Sequence, residues 1–312
     1  MKAISYRRYG GPEVLEFREA PEPKLGPESV LIEVRAAAVN PVDWQIAAGH
    51  LDGRFDVHFP VIPGWDVAGV VSAVGPTVTE FAPGDEVVGY LRTDTIGRGT
   101  YAERVAAPTR TIARKPANLG WEQAAAVPIA GLTAYQTLVH ALDVGPGDTV
   151  LVQAAAGGVG SFAVQIAVAL GAQVIGTASE RNHDHLMRLG ARPVTYGPGL
   201  ADRVRALAPE GVTAILDMYG GGELTSSVAL LASGAGKRVV SLADDGVRDL
   251  GGTFVFARPS RDDLDQLTRL IEAERLVPEV ATVLDLSDAA EAFRLSQTGH
   301  TRGKIVLRVS TG

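Results

Sequence analysis

The sequence predicts an α/β protein in two parts, a compact β-rich domain followed by a doubly wound parallel sheet. Three observations carry that prediction. The N-terminal third is a series of short apolar runs broken by Pro and Gly; from Gly147 onward, strands alternate with helix-length segments; and the stretch Val150 to Ala167 passes from an apolar run through a small-residue turn into a helical pattern.

In the first part the apolar runs are Val30–Val39, Val67–Val74, Glu86–Tyr90 and Ala102–Ala106. Gly-Pro pairs at 11/12, 26/27 and 75/76, with Pro83-Gly84-Asp85, punctuate them, so strands of about five to eight residues in a barrel-like domain are expected. The texture turns helical at Trp121–Ala126 and Leu132–Leu138, where the chain is expected to cross between domains. Beyond it come Thr149–Gln153, Ser161–Leu170, Gln173–Thr177, His183–Leu189, Ala201–Leu207, Ala214–Asp217 and Arg238–Ala243 in alternation. The fully apolar Thr149-Val150-Leu151-Val152 suits a central strand covered on both faces. After Asp262 an amphipathic helix (Leu264, Leu267, Leu270, Ile271) is followed by a second that Ser287 can cap, and Gly303–Val309 is a final strand.

Composition narrows the function. The 312 residues, 46% hydrophobic and 21% charged, are enough for about two domains with a sizeable core. A formal charge of −7 without a basic run gives no electrostatic footprint for nucleic acid or an anionic membrane. There is no cysteine, which removes disulfides, thiolate nucleophiles and every zinc site that needs sulfur. No secretory leader pattern or run of membrane-spanning length is present, so a cytoplasmic location is expected.

The strongest local motif is Gln153-Ala154-Ala155-Ala156-Gly157-Gly158-Val159-Gly160 between a strand and a helix, whose spacing matches the dinucleotide fingerprint with Ala155 in the first glycine place. Gly157 would let the backbone approach a pyrophosphate, the helix N-terminus at Gly158 and Val159 would supply N–H donors, and Gly160 would allow close helix–strand packing. The alternative is a glycine-rich turn with a structural role alone. A carboxylate for the ribose 2′-hydroxyl is expected about 20 residues on. Here Thr177 leads instead into Ala178-Ser179-Glu180-Arg181, and Ser179 with Arg181 suits a 2′-phosphate, so NADPH is the expected cofactor. Glu180, if it points inward, would reverse that preference, and Arg181 as a solvated surface residue is the other reading.

These residues, together with Gly10–Leu15, Ala38–Asp43, Pro63–Val71, Pro83–Val87 and Gly303–Leu307, resemble the zinc-independent quinone oxidoreductase, or zeta-crystallin-like, branch of the medium-chain dehydrogenases/reductases along nearly the whole chain. The resemblance implies a GroES-like catalytic domain (residues 1–118), a Rossmann NADP(H)-binding domain (119–262) and a C-terminal return to the catalytic domain (263–312), with a homodimer formed through the Rossmann sheets. Zinc-dependent relatives carry a Cys ligand in the stretch matching Val39-Asn40-Pro41 and a His ligand in that matching Gly64-Trp65-Asp66, and both are lost here. No metal is expected.

By the same resemblance, Asn40 and Tyr90 are the catalytic candidates, and Trp44, Trp65 and Tyr90 line a pocket for a small-molecule acceptor. Thr133, Tyr196, Ser241, Phe254, Phe256 and Lys304 join the turn residues around the cofactor. Plainer alternatives are core packing for Tyr196 and Phe254, a surface charge at Lys304 and a turn role for Asn40 before Pro41. The implied reaction is hydride transfer from NADPH to a quinone, with the Asn40 amide stabilising the developing oxyanion and a proton from Tyr90, Tyr101 or solvent. An enone or 2-enoyl reductase, and a non-catalytic NADPH-binding protein, are the alternatives.

Overall fold

The computed structural model describes residues 1–236 and 238–309, and its elements divide between two compact units. The first comprises Met1–Leu132, Arg258–Ala273 and the chain from Pro278; the second comprises Thr133–Ala257 and Glu274–Val277. Both crossings are displaced from the expected limits at 118/119 and 262/263. The reason lies in the alanines: Ala124, Ala125 and Ala126 pack against Ala36, Ala38, Ala68, Val88 and Val306 of the first unit, so the first interdomain helix belongs to its core.

The first unit opens with strands β1 (Lys2–Ser5) and β2 (Glu16–Glu19), followed by β3 (Ser29–Val39) and the short helix α1 (Pro41–Ala47). Strands β4 (Asp56–Ile62), β5 (Asp66–Val74), β6 (Glu86–Tyr90), β7 (Thr95–Arg98), β8 (Arg104–Pro108) and β9 (Ile112–Arg114) come next, then helices α2 (Trp121–Ala125) and α3 (Pro128–Tyr135). β3 and β5 run to 11 and 9 residues, longer than the turn chemistry suggests. Register shifts between Leu31 and Ile32 and between Val34 and Ala36 let β3 bend far enough to pair with both β5 and β8.

The second unit is a six-stranded parallel sheet in the order β12-β11-β10-β13-β14-β15. Its strands are β10 (Thr149–Val152), β11 (Gln173–Thr177), β12 (Arg192–Val194), β13 (Ala214–Asp217), β14 (Val239–Ser241) and β15 (Thr253–Phe254). Helices α4 (Gly158–Ala169), α5 (His183–Arg188), α6 (Leu200–Leu207) and α7 (Gly222–Val228) provide the crossovers. β10 lies inside the sheet, between β11 and β13, as its unbroken apolar pattern requires. Leu151, Ile175, Val204, Ile215, Leu224 and Val239 form one contiguous core on this sheet.

Helix α8 (Arg261–Glu272) is capped by Ser260, whose hydroxyl accepts from the Asp263 amide. Strand β16 (Val280–Asp285), helix α9 (Ala289–Gln297) and strand β17 (Lys304–Arg308) complete the first unit. Ser287 does not cap α9; it lies inside a single 3₁₀ turn, Leu286–Asp288, that leads into the helix. The C-terminal strand β17 pairs antiparallel with β3, giving the sheet order β16-β17-β3-β5-β6-β9. Strand β17 thereby enters the same sheet as β3, which lies more than 260 residues earlier in the chain.

Candidate active site

In the second unit the turn after β10 is built to leave backbone donors uncommitted. Ala154, rather than Ala155, takes the left-handed conformation at φ +49°, which costs a non-glycine residue about 1–2 kcal/mol. The turn is held by Thr177, whose hydroxyl accepts from the Ala154 amide at 3.0 Å and whose carbonyl accepts from the Ala155 amide at 2.9 Å. Ala155 is fully buried and therefore a packing residue, its methyl fitting where Gly176 has no side chain.

The two fingerprint glycines do different jobs. A Cβ on Gly160 would lie 2.4 Å from the Ala154 carbonyl oxygen, so glycine is demanded there by the protein itself. A Cβ on Gly157 would meet nothing nearer than 3.4 Å, so the chain alone does not need glycine there; the open space is the cradle a phosphate would fill. Gly157, at φ −74° and ψ 179°, is the N-cap of α4, and Gly158, Val159 and Gly160 present the helix's first amides.

Beyond β11, Thr177 is buried and points back into the turn, while Ser179 is half-buried and accepts from the Asn182 amide group at 3.3 Å. Arg181 is exposed in a 3₁₀ turn with no side-chain partner among the described residues. Tyr196 is 57% exposed, which removes the core-aromatic alternative, and Phe256 is exposed as well. Phe254 packs on the sheet core, with the Arg248 guanidinium 5.8 Å from its ring centre. Thr133 is buried at the start of this unit.

Ser241, which the resemblance places at the cofactor, has its hydroxyl engaged within the protein. It is fully buried, its hydroxyl donates to the Asp217 carboxylate at 2.6 Å, and it accepts from the amides of Ala243 and Asp244. Asp217 in turn gathers the Tyr219 and Gly220 amides, so this pair shapes the loops after β13 and β14.

In the first unit, the end of β3 and the starts of β5 and β17 bring Asn40, Asp66 and Lys304 together, all nine-tenths or more buried. The Lys304 ammonium donates to the Asn40 side-chain oxygen and, at 3.1 Å, to the Val39 carbonyl, and lies 3.5 Å from Asp66 Oδ2. Asn40 Nδ2 donates to the same Asp66 oxygen at 2.9 Å, and Asp66 Oδ1 accepts from the Ile129 amide at 2.7 Å. Two sequence expectations are corrected here. Lys304 is not a surface charge, and its ammonium is engaged inside the protein by two hydrogen bonds and the Asp66 ion pair rather than held out for a cofactor. The Asn40 amide faces Lys304, Asp66 and the Ala38 carbonyl, so it is not placed to stabilise a substrate oxyanion.

Next to this cluster, Asp43 Oδ2 accepts from the Asn40 amide at 2.8 Å and from the Tyr101 hydroxyl at 2.9 Å. Burial pushes the Asp43 carboxyl up to about 7, with the Asp66 charge adding to the rise. Burial likewise raises Asp66, against the pull of Lys304. Tyr101, fully buried and spent on Asp43, is excluded as a proton donor to substrate.

The aromatic residues are only partly brought together. Trp65 packs between Phe55, 5.6 Å away, and Tyr90, 6.0 Å away; Phe55 is an addition to the residues the sequence suggests. Burial raises the Tyr90 hydroxyl well above the usual phenol range, and Arg92 beside it opposes the rise. Trp44 is half-buried on α1, and its indole N–H donates to Ser296 Oγ on α9 at 3.3 Å.

A parallel sheet with a glycine turn of dinucleotide-binding type, in a chain that also carries a β-rich unit, is the architecture on which dehydrogenases and reductases are built. Residues 26–117 match the alcohol dehydrogenase GroES-like domain, and residues 189–307 match a domain described as zinc-binding dehydrogenase. The chain is 32% identical to the quinone oxidoreductase of Homo sapiens, over 98% of this chain and 97% of that one. It is 36% identical, over 94% of its length, to the pikromycin polyketide synthase component PikAII of Streptomyces venezuelae, of which it spans 8%. A solved mycobacterial protein, Rv1454c complexed with NADPH, superposes with a TM-score of 0.84 at 30% identity, covering 99% of this chain and 100% of that one. The chain belongs to the quinone oxidoreductase family of the medium-chain dehydrogenases/reductases and is an oxidoreductase.

The zinc in the second domain's description does not fit the residues present. The sequence has no cysteine, and no three His, Asp or Glu side chains gather into a ligand set among the described residues. The donors nearest to such a set, Asn40 and Asp66, surround a lysine ammonium. No helix among the described residues is long and apolar enough to cross a membrane.

Proposed function

We propose that the chain is a zinc-independent reductase that takes NADPH and a small electron-poor acceptor, a quinone in the first instance. One observation carries the reading: the open cradle at Gly157 is followed, after the next strand, by an exposed Arg181 with no side-chain partner among the described residues. Backbone amides at Gly158 to Gly160 would receive the pyrophosphate, and Ser179 with Arg181 would receive a 2′-phosphate, the guanidinium bidentately. NADPH, when bound, supplies the hydride, and the NADPH complex of the mycobacterial relative supports that choice.

The protein's own part is positioning and polarisation. Trp65 and Phe55 offer an apolar aromatic wall, and Tyr90 keeps its proton at neutral pH, so it serves as a hydrogen-bond donor to an acceptor carbonyl. A phenol raised that far is a poor proton source, which assigns to solvent the proton that completes reduction to the hydroquinone. The test is oxidation of NADPH and NADH by metal-depleted protein with 1,4-benzoquinone and with a simple enone. Quinone-dependent oxidation preferring NADPH is expected, and NADH preference or a requirement for added zinc would refute the reading. The similarity to a polyketide synthase component favours a second reading, an enoyl-type reductase, which turnover of the enone alone would select.

A further inference from the structure

The cluster of Asn40, Asp66 and Lys304 is used by no step of that reading, yet it is a closed circuit. Lys304 donates to Asn40, Asn40 to Asp66, and Asp66 pairs with Lys304. The remaining Asp66 oxygen is taken by the Ile129 amide and a second Lys304 donor by the Val39 carbonyl. Two hydrogen-bond acceptors and a carboxylate around Nζ suit an ammonium, whereas a neutral amine would turn its lone pair on one of them.

The circuit ties four chain positions to one point: the end of β3, the start of β5, the start of β17 and the start of α3. Two of its attachments lead straight to the aromatic wall. Asp66 pairs with Tyr90 in the β5–β6 register, and the carbonyl of Trp65, the residue before it, accepts from the Leu91 amide at 2.8 Å. Asn40, at the other side, begins the helix that carries Trp44.

We propose that Lys304 is a positioning residue for acceptor reduction: its buried ammonium is the resident cation that holds Asn40 and Asp66, and through Asp66 it fixes Trp65 and Tyr90 against each other. A fixed cation suits this task because breaking a buried pair strands a charge, whereas neutralising both members removes that charge without restoring the lysine's directed bonds. Stability and alignment are therefore separable. The kinetic arm of the test rests on the reductase reading; the spectroscopic and stability arms do not.

The experiment compares Lys304→Met with the charge-neutral pair Lys304→Met/Asp66→Asn in the full chain. The single variant is expected to lose about 5–15 °C in Tm, and the pair to recover most of it. The pair is expected to bind NADPH as the parent does, to alter the near-UV circular dichroism of the tryptophans, and to lose about tenfold in kcat/KM for the acceptor through a raised KM. A pair with unchanged near-UV signal and unchanged acceptor KM overturns the proposal, as does a single variant with the parent Tm. A pair no more stable than the single variant also overturns it, since stability and alignment would then not separate. Parent protein that fails to oxidise NADPH with either the quinone or the enone defeats the reductase reading instead; the near-UV signal and the Tm values then decide for or against the role of Lys304.

Discussion

The turn after β10 and the cluster around Lys304 both manage charge, and they do so in opposite ways. At the turn, the first amides of α4, Gly158 to Gly160, stand beside open space in front of Gly157, where an anion from outside has room. In the β-rich unit the charges are inside, and Lys304 is already held by two hydrogen bonds and the Asp66 ion pair. One region is a receptor because it is unsatisfied; the other is a fixture because it is closed. The contrast teaches that a buried charge must carry its partners with it, while exposed donors can wait for theirs; we propose alignment for the first and recognition for the second.

The comparison can be broken most severely at Gly160. A side chain there collides with the Ala154 carbonyl, so Gly160→Val is expected to destabilise the second unit by about 3 kcal/mol or more, seen as a Tm loss or as insoluble protein. Arg181→Ala tests recognition without touching the fold. It should reduce the preference for NADPH over NADH by about 10- to 100-fold, measured as the ratio of kcat/KM values, with unchanged Tm.

Gly157→Ala sharpens the distinction between the two glycines. The methyl finds room in the protein, so Tm should stay within about 2 °C, while the NADPH Kd rises about tenfold because the cradle is filled.

Asp43→Asn probes the closed side. The Asp43 carboxyl is held at about 7 in the folded chain against about 3.9 unfolded, so the folded state binds that proton more tightly. Its stabilising effect is full below about pH 4 and is lost as pH rises through about 7. Asparagine keeps an oxygen for the Asn40 amide and the Tyr101 hydroxyl, so the variant's Tm should fall less steeply than the parent's between about pH 5 and pH 8, by a few degrees over the range.

How far each region is legible in the sequence follows from how it is assembled. The phosphate turn is contiguous, so strand, small residues and helix can be read in order, and β6, β11 and β13 fall on the expected residues. Even there, the left-handed residue is Ala154 and not Ala155, a choice set by Thr177 from the neighbouring strand. The cluster joins positions 264 residues apart, and nothing local to Lys304 says that it reaches Asn40. One signal is present: Asp66 and Lys304 each head an apolar strand, and a charge in such a place is paired when it is buried. The Ser241–Asp217 pair is hidden from the sequence for a related reason, the two residues lying on adjacent strands. The domain limits move because helical texture near residue 121 does not reveal which sheet its alanines cover.

Strand β3 has a consequence for how the chain is made. It must receive β5 and β8 from its own neighbourhood and β17 from the far end of the sequence. As the polypeptide emerges during synthesis, the strands of the parallel sheet appear one after another and can assemble from contiguous chain. The β-rich unit cannot: until β17 has been translated, the Asp66 carboxylate has no lysine to face and the Ala37–Val39 end of β3 has no partner strand. Strand β17, translated long after β3, thus completes the sheet that β3 begins, and a chain truncated before residue 304 would be left without the cation of its own interior.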